Sequence, residues 1–345
     1  MRRLVFVFVL STICLAGCGD LIEDDEVGRP ATTRQEPTLR VGLITDLGQL
    51  DDNGFNELAF RGLKRAEKEL HVEGRVIESA SAADYIPNMS SLARDGYDLI
   101  IGVGFAQGDA IGKTAKRFPK TKFAIIDVDQ AFVPGKPKNV QGLLFREEEV
   151  GYLVGFLAAL QEKGRPGADS ISAVGGFKEP PVDRFIAGYK AGAEKASPGI
   201  SVRWDYSQDW DDQAKCKELA LNQIAAGSGV VFQVAGECGL GALNAAAERK
   251  RWGIGVDADQ SFLGKHILTS AQKGVDAAVF LTIKSVLDGK WKGGRNSTYG
   301  LKEDGVGLGK VSPLVPVEDI DEVNKIKREI IAGTIRGIPR TIDRS

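Results

Sequence analysis

Histidine is scarce. The chain has two, His71 and His266, in 345 residues, and neither sits in a metal-ligand spacing. There is no G-x-S-x-G elbow and no phosphate-cradling P-loop. Gly102, Gly104 and Gly108 do not match dinucleotide spacing. No basic excess exists either. Forty-five Lys and Arg face 47 Asp and Glu, a formal net charge of −2, which argues against nucleic acid as a partner. No apolar run reaches the roughly 20 residues that a membrane-spanning helix needs. The sequence thus singles out no metal, cofactor or phosphate-binding loop. At 43% hydrophobic and 27% charged, the composition is globular, and the length allows two domains.

The N-terminus reads as an export signal. Arg2 and Arg3 precede an apolar run from Leu4 to Leu15, which ends in Leu15-Ala16-Gly17-Cys18. This resembles a bacterial lipobox, with residues 1–17 as the cleaved signal and Cys18 as the lipidated first residue of the mature chain. Two acyl chains would anchor stably, placing the protein at the cell envelope, tethered to a membrane. Loss of Arg2 and Arg3 leaves 43 basic against 47 acidic residues, a net charge near −4. Residues 18–37 are acidic and poor in apolar side chains, the composition of a flexible tether. Cys216 and Cys238 remain. Export permits a disulfide, but the sequence alone does not bring them within bonding distance, and two free thiols is the alternative.

From residue 38 onward, short β-rich runs alternate with helical patterns. Strands are predicted at 39–45, 75–79, 97–104, 122–127, 170–176, 200–207, 229–236, 252–259 and 266–272, with helices between them. This rhythm specifies an α/β fold with parallel sheets covered on both faces. No clean internal repeat is visible, yet the two halves share one grammar. The expected architecture is two doubly wound lobes joined by a multi-strand hinge, since no Pro/Gly/Ser-rich linker separates them. Residues 38–146 with about 260–290 are assigned to the first lobe, and 147–259 with about 291–316 to the second. Residues 317–345 form a C-terminal helix and tail of unassigned lobe.

Ligands of open parallel sheets bind beyond the carboxyl ends of the strands. Those ends carry Thr45-Asp46 and the run to Asn56, then Asp127, Gln208-Asp209-Trp210, Gly236-Glu237-Cys238-Gly239, Asp257 with Asp259, and Lys273. Carboxylates, aromatics, an amide, glycines and a lysine converge there. Each has a blander reading. Asn56 would cap the following helix, Phe55 would staple it, and Asp51 and Asp52 are acids favoured near a helix start. The glycines suit a strand–helix turn, Lys273 a surface, and Glu147, Glu148 and Glu149 a charged helix start. The nearby acids favour a neutral ligand over a phosphate.

The runs TDLGQLDDNGFN, FAIID, REEEVGYLVGFLAA, QDWDD, AGECGLG, GVDADQ and LTSAQKGVD resemble the basic membrane protein family of lipoproteins. These are substrate-binding subunits of ABC transporters, and the best-understood members bind purine nucleosides. The likeness spans roughly residues 39–310 and implies a type I periplasmic-binding-protein-like fold. It also implies permease and ATPase partners, a monomer, and a base stacked between Phe55 and Trp210. Asp46, Asn56 and Asp127 would contact the base, and Gly236, Asp257 and Lys273 the ribose. Three positions depart from the family pattern: Gly54 replaces serine, Trp210 replaces phenylalanine, and Glu237-Cys238 fills a stretch that is usually smaller and less charged. The chemistry is consistent, because a nucleoside is a flat π-system carrying a polyol. Stacking suits the base, carboxylates accept N–H and hydroxyl protons, and Asn56 both donates and accepts. The rival expectations are another small polar ligand, such as a sugar or signalling molecule, on the same scaffold, or a surface nucleoside-processing enzyme.

Overall fold

A computed structural model describes residues 39–343, residue 168 excepted. The signal, the tether, Cys18 and the last two residues lie outside the described residues. In chain order the first half contains β1 (Arg40–Ile44), α1 (Phe55–Leu70), β2 (Glu73–Ile77), α2 (Tyr85–Arg94), β3 (Leu99–Gly102), α3 (Gly108–Arg117), β4 (Lys122–Ile126) and β5 (Val140–Phe145). The second begins with α4 (Glu147–Glu162), β6 (Ser170–Gly175), α5 (Pro180–Ala196), β7 (Ser201–Tyr206), α6 (Gln213–Ala225) and β8 (Val230–Val234). It continues with α7 (Cys238–Glu248), β9 (Trp252–Asp257) and β10 (Ile267–Lys273). Last come α8 (Val275–Leu287), β11 (Arg295–Tyr299), β12 (Val306–Leu308) and α9 (Val317–Ile331).

Two six-stranded sheets result, ordered β11-β5-β4-β3-β1-β2 and β12-β10-β9-β8-β6-β7. All pairings are parallel except β10 with β12. The central strands are buried apolar runs, such as LIIG in β3 and VVFQV in β8, as a sheet covered on both faces demands. The two orders are equivalent, so β1 matches β6, β4 matches β9, and β5 matches β10.

The lobe boundaries differ from the expected division. β10 pairs with β9 in the second sheet, and β11 pairs with β5 in the first. β10 is almost wholly buried and belongs inside a sheet. β11, Arg-Asn-Ser-Thr-Tyr, is polar and half-exposed and suits an edge. Helix α8 packs on α1 of the first lobe, while α9 packs on α4 of the second. The chain therefore crosses between lobes three times: from β5 into α4, from β10 into α8, and from β11 to β12.

Helices α4 and α5 pack backbone to backbone. A Cβ at Gly151, Gly155, Gly188 or Gly192 would collide with a carbonyl of the facing helix. This close approach sets Glu147, at the start of α4, against Arg184 of α5.

Cys216 and Cys238 form a disulfide with Cα atoms 5.5 Å apart, joining α6 to the start of α7. Both are fully buried. The bond closes a loop across 22 residues of separation, so the Cys216→Ala/Cys238→Ala double variant should lose about 3 kcal/mol of unfolding free energy. Urea denaturation checks this, and a loss under about 1 kcal/mol would mean the cross-link contributes little.

Candidate functional site

The carboxyl ends of the two sheets face one cleft, the place where open parallel sheets bind ligands. All eight residues singled out in the sequence line it: Asp46, Phe55, Asn56, Asp127, Trp210, Gly236, Asp257 and Lys273.

Local structure explains each position. Asp46 follows β1 and is buried. Its Oδ1 accepts from the Tyr85 hydroxyl at 2.7 Å and the Leu47 N–H at 2.8 Å. Burial pushes its carboxyl up to about 6, against the pull of those two donors. Gly104 holds φ +106°, and a Cβ there would collide with Asp46 Oδ2. Only glycine satisfies both demands. Asn56 is not the helix cap. Asp52 does that work, accepting the N–H groups of Gly54, Asn56 and Glu57. The Asn56 Oδ1 instead accepts the Asp46 N–H at 3.1 Å and pins that turn.

Asp127 follows β4 and Asp257 ends β9, at equivalent places in the two sheets. Each has left-handed backbone, φ 71° and φ 61°, which turns the chain sharply at the cleft. A short repeat surrounds them, although none was visible by sequence rhythm. Asp127-Val128-Asp129-Gln130-Ala131-Phe132 matches Asp257-Ala258-Asp259-Gln260-Ser261-Phe262. In both copies the second aspartate accepts the N–H two residues on, at 2.8 Å from Ala131 and 3.1 Å from Ser261. Burial pushes the Asp257 carboxyl up to about 7, opposed by Lys273.

Lys273 ends β10 and is 2% exposed, so it is not a surface lysine. Its Nζ lies 2.7 Å from both Asp127 oxygens and 3.0 Å from Glu147 Oε1. It also sits 5.0 Å from the ring centroids of Phe55 and Phe145. Glu147 in turn accepts from Arg184 Nε at 2.6 Å. Burial works against the lysine's charge, yet Asp127, Glu147 and Asp257 hold its pKa above the ordinary value. Glu147 starts α4, as its sequence suggested, and is also part of a buried ionic chain at the hinge.

Trp210 is half-buried against Phe177, with ring centroids 5.4 Å apart. Its carbonyl accepts the Cys238 N–H at 2.7 Å, so the disulfide-bonded turn holds the tryptophan loop. Gly236 has φ +57° beside Trp210. Phe55 comes from the first lobe and Trp210 from the second, and both border the same space.

Sequence reasoning missed Glu179, Glu147 with Arg184, and Tyr85. Glu179 lines the cleft just after β6, so the strand-end rule, applied there as elsewhere, finds it. The others become visible only through tertiary packing. Among the described residues, no cluster of His, Cys, Asp or Glu could hold a metal, and no helix is long and apolar enough to cross a membrane.

The surroundings are acidic. Asp46, Asp52, Asp127, Glu179, Asp211, Glu237 and Asp257 line the cleft with Lys273 as the sole lysine or arginine among the lining residues. Such a site repels anions and offers hydrogen-bond acceptors between aromatic walls.

Comparison with known proteins identifies the family. The family model for PnrA-like ABC transporter substrate-binding proteins, Bmp, matches residues 39–339. A CD4+ T-cell-stimulating antigen of Listeria innocua is 32% identical, over 97% of this chain and 99% of its own length. An ABC transporter nucleoside-binding protein, BmpA, of Lactococcus lactis is 34% identical, over 95% and 96%. The crystal structure of an ABC transporter solute-binding protein from Aeropyrum pernix is 30% identical with a TM-score of 0.78, covering 87% of this chain and 94% of that one. The chain therefore belongs to the Bmp family of PnrA-like ABC transporter substrate-binding proteins.

Proposed function

We propose that this substrate-binding protein captures a purine nucleoside between its lobes and delivers it to the permease and ATPase of an importer. The observation that carries the reading is that Phe55 and Trp210, one from each lobe, line the same cleft together with its acceptors. A planar base fits between aromatic walls, and its N–H groups and the ribose hydroxyls suit carboxylates. The Lactococcus relative is named a nucleoside-binding protein, which supports the same ligand class. Phe55, Trp210, Asp46, Asn56 and Asp127 would hold the base, and Gly236, Asp257 and Lys273 the sugar. The lobes would close by bending at the three crossings. We place the protein as a monomer at the cell envelope, anchored through lipidated Cys18. On this reading the ligand leaves unchanged, as delivery to a permease requires.

Calorimetric titration of the mature protein with guanosine, inosine, adenosine, cytidine and ribose tests this. The purine nucleosides should bind with Kd values below about 100 µM and be recovered intact. Failure of all three, or tighter binding of ribose, would overturn the reading, and release of free base would replace it with an enzyme.

A further inference from the structure

We propose that Glu179 is a specificity-determining residue that makes this site prefer a purine bearing an amino group beside a ring N–H, the edge of guanine, over one bearing only the ring N–H. The inference rests on the nucleoside reading and names the base within it.

The placement comes from the fold. Strand β6 holds the position in the second sheet that β1 holds in the first. The loop after β1 delivers Asp46, and its counterpart after β6 delivers Glu179, so the two carboxyls enter the cleft from opposite lobes.

The chemistry comes from what surrounds Glu179. It precedes Pro180-Pro181 at the start of α5 and has extended backbone, φ −124° and ψ 155°, as a residue before proline should. An acidic residue at a helix start ordinarily accepts the N–H groups of the first turn. Here two prolines remove the first two of them, and the Glu179 side chain makes no capping bond. It forms no ion pair and no side-chain hydrogen bond among the described residues. Glu179 is therefore a carboxyl that its own helix leaves free, half-buried at the cleft wall.

Its neighbours make that freedom consequential. Asp46 spends Oδ1 on Tyr85 and Leu47, while Oδ2 has no donor and faces Gly104. Burial, then Asp46 and Asp127 across the cleft, push Glu179 up to about 7. Two carboxyls with unfilled acceptors thus line one cleft from opposite lobes, and closing the lobes would bring like charges together. A ligand edge that supplies several N–H donors relieves this. Guanine supplies a ring N–H and an adjacent amino group, whereas hypoxanthine supplies the ring N–H alone. An acceptor left unfilled in a closed site costs affinity, so the amino group should be discriminated strongly.

The test compares guanosine with inosine by calorimetry at pH 7.5 on the mature wild type and the Glu179→Gln variant. Wild type should bind guanosine at least about tenfold more tightly, the size of one hydrogen bond to a charged group. In the variant, whose amide keeps the shape but loses half the acceptor capacity, the ratio should fall toward one. Glu179→Asp, which withdraws the carboxylate by one methylene, provides the same comparison if the glutamine variant folds poorly. A wild-type ratio near one, or a ratio unchanged in a folded variant, overturns the role of Glu179 while leaving nucleoside capture standing. Absence of any nucleoside binding by wild type overturns both.

Discussion

Replacing Lys273 with methionine should lower the unfolding free energy by about 3–5 kcal/mol, the cost of breaking a buried ion pair from one side. The side chain is enclosed among Asp127, Glu147, Phe55 and Phe145. Methionine fills similar volume, so the loss is electrostatic and not a cavity. Without the ammonium, Asp127 has no cation in contact, while Glu147 retains Arg184. The stranded carboxyls then resist ionisation, and their folded pKa values rise above the unfolded ones. A raised carboxyl pKa means that the folded state binds more protons than the unfolded state near neutrality. The penalty is accordingly small at acid pH and grows as pH rises. Urea unfolding of wild type and variant at pH 5 and pH 8 checks both points. The difference between the proteins should be larger at pH 8. A loss below about 1 kcal/mol at both pH values would show that the network is screened by water, despite the burial of Lys273.

The second large effect concerns binding. Trp210→Ala should weaken guanosine binding by about 1–3 kcal/mol, roughly 5- to 150-fold, the range for removing one aromatic from a base stack. The indole is half-buried and packs at the margin of the core, so the variant should fold. Its loop remains fixed by the Cys238 N–H to the Trp210 carbonyl, which alanine preserves. Trp210→Phe should recover most of the affinity, because a smaller ring still covers part of the base. If Trp210→Ala binds guanosine as wild type does, the tryptophan lines the cleft without touching the base, and the stacking model fails.

Much of this arrangement is legible in the sequence because parallel sheets concentrate function at strand ends. Once the apolar runs are located, Asp46, Asp127, Trp210, Gly236 and Asp257 stand out by position alone. Three strands escape that procedure. β11 is polar along its length, and β12 has three residues, one a glycine. β5 reads as part of the loop leading to the acids at 147–149. These are the elements that determine where the chain crosses, so the lobe boundaries were the weakest expectation. The ionic chain at the hinge was hidden for another reason. Lys273 and Asp127 lie 146 residues apart, and no local pattern links them. Glu179 was overlooked beside its prolines, where a turn is the ordinary expectation.

The three crossings also bear on the order in which the molecule is assembled. The first sheet is finished by β11 and its covering layer by α8, both made after nearly all of the second lobe. Until residue 287 emerges the α8-facing side of α1 is bare, and until residue 299 the edge of β5 is unpaired. Neither lobe is a complete folding unit during synthesis, and an N-terminal fragment ending near residue 260 should stay open and prone to association. A polypeptide wired in this way delays its own compaction, which suits a chain whose N-terminus reads as an export signal.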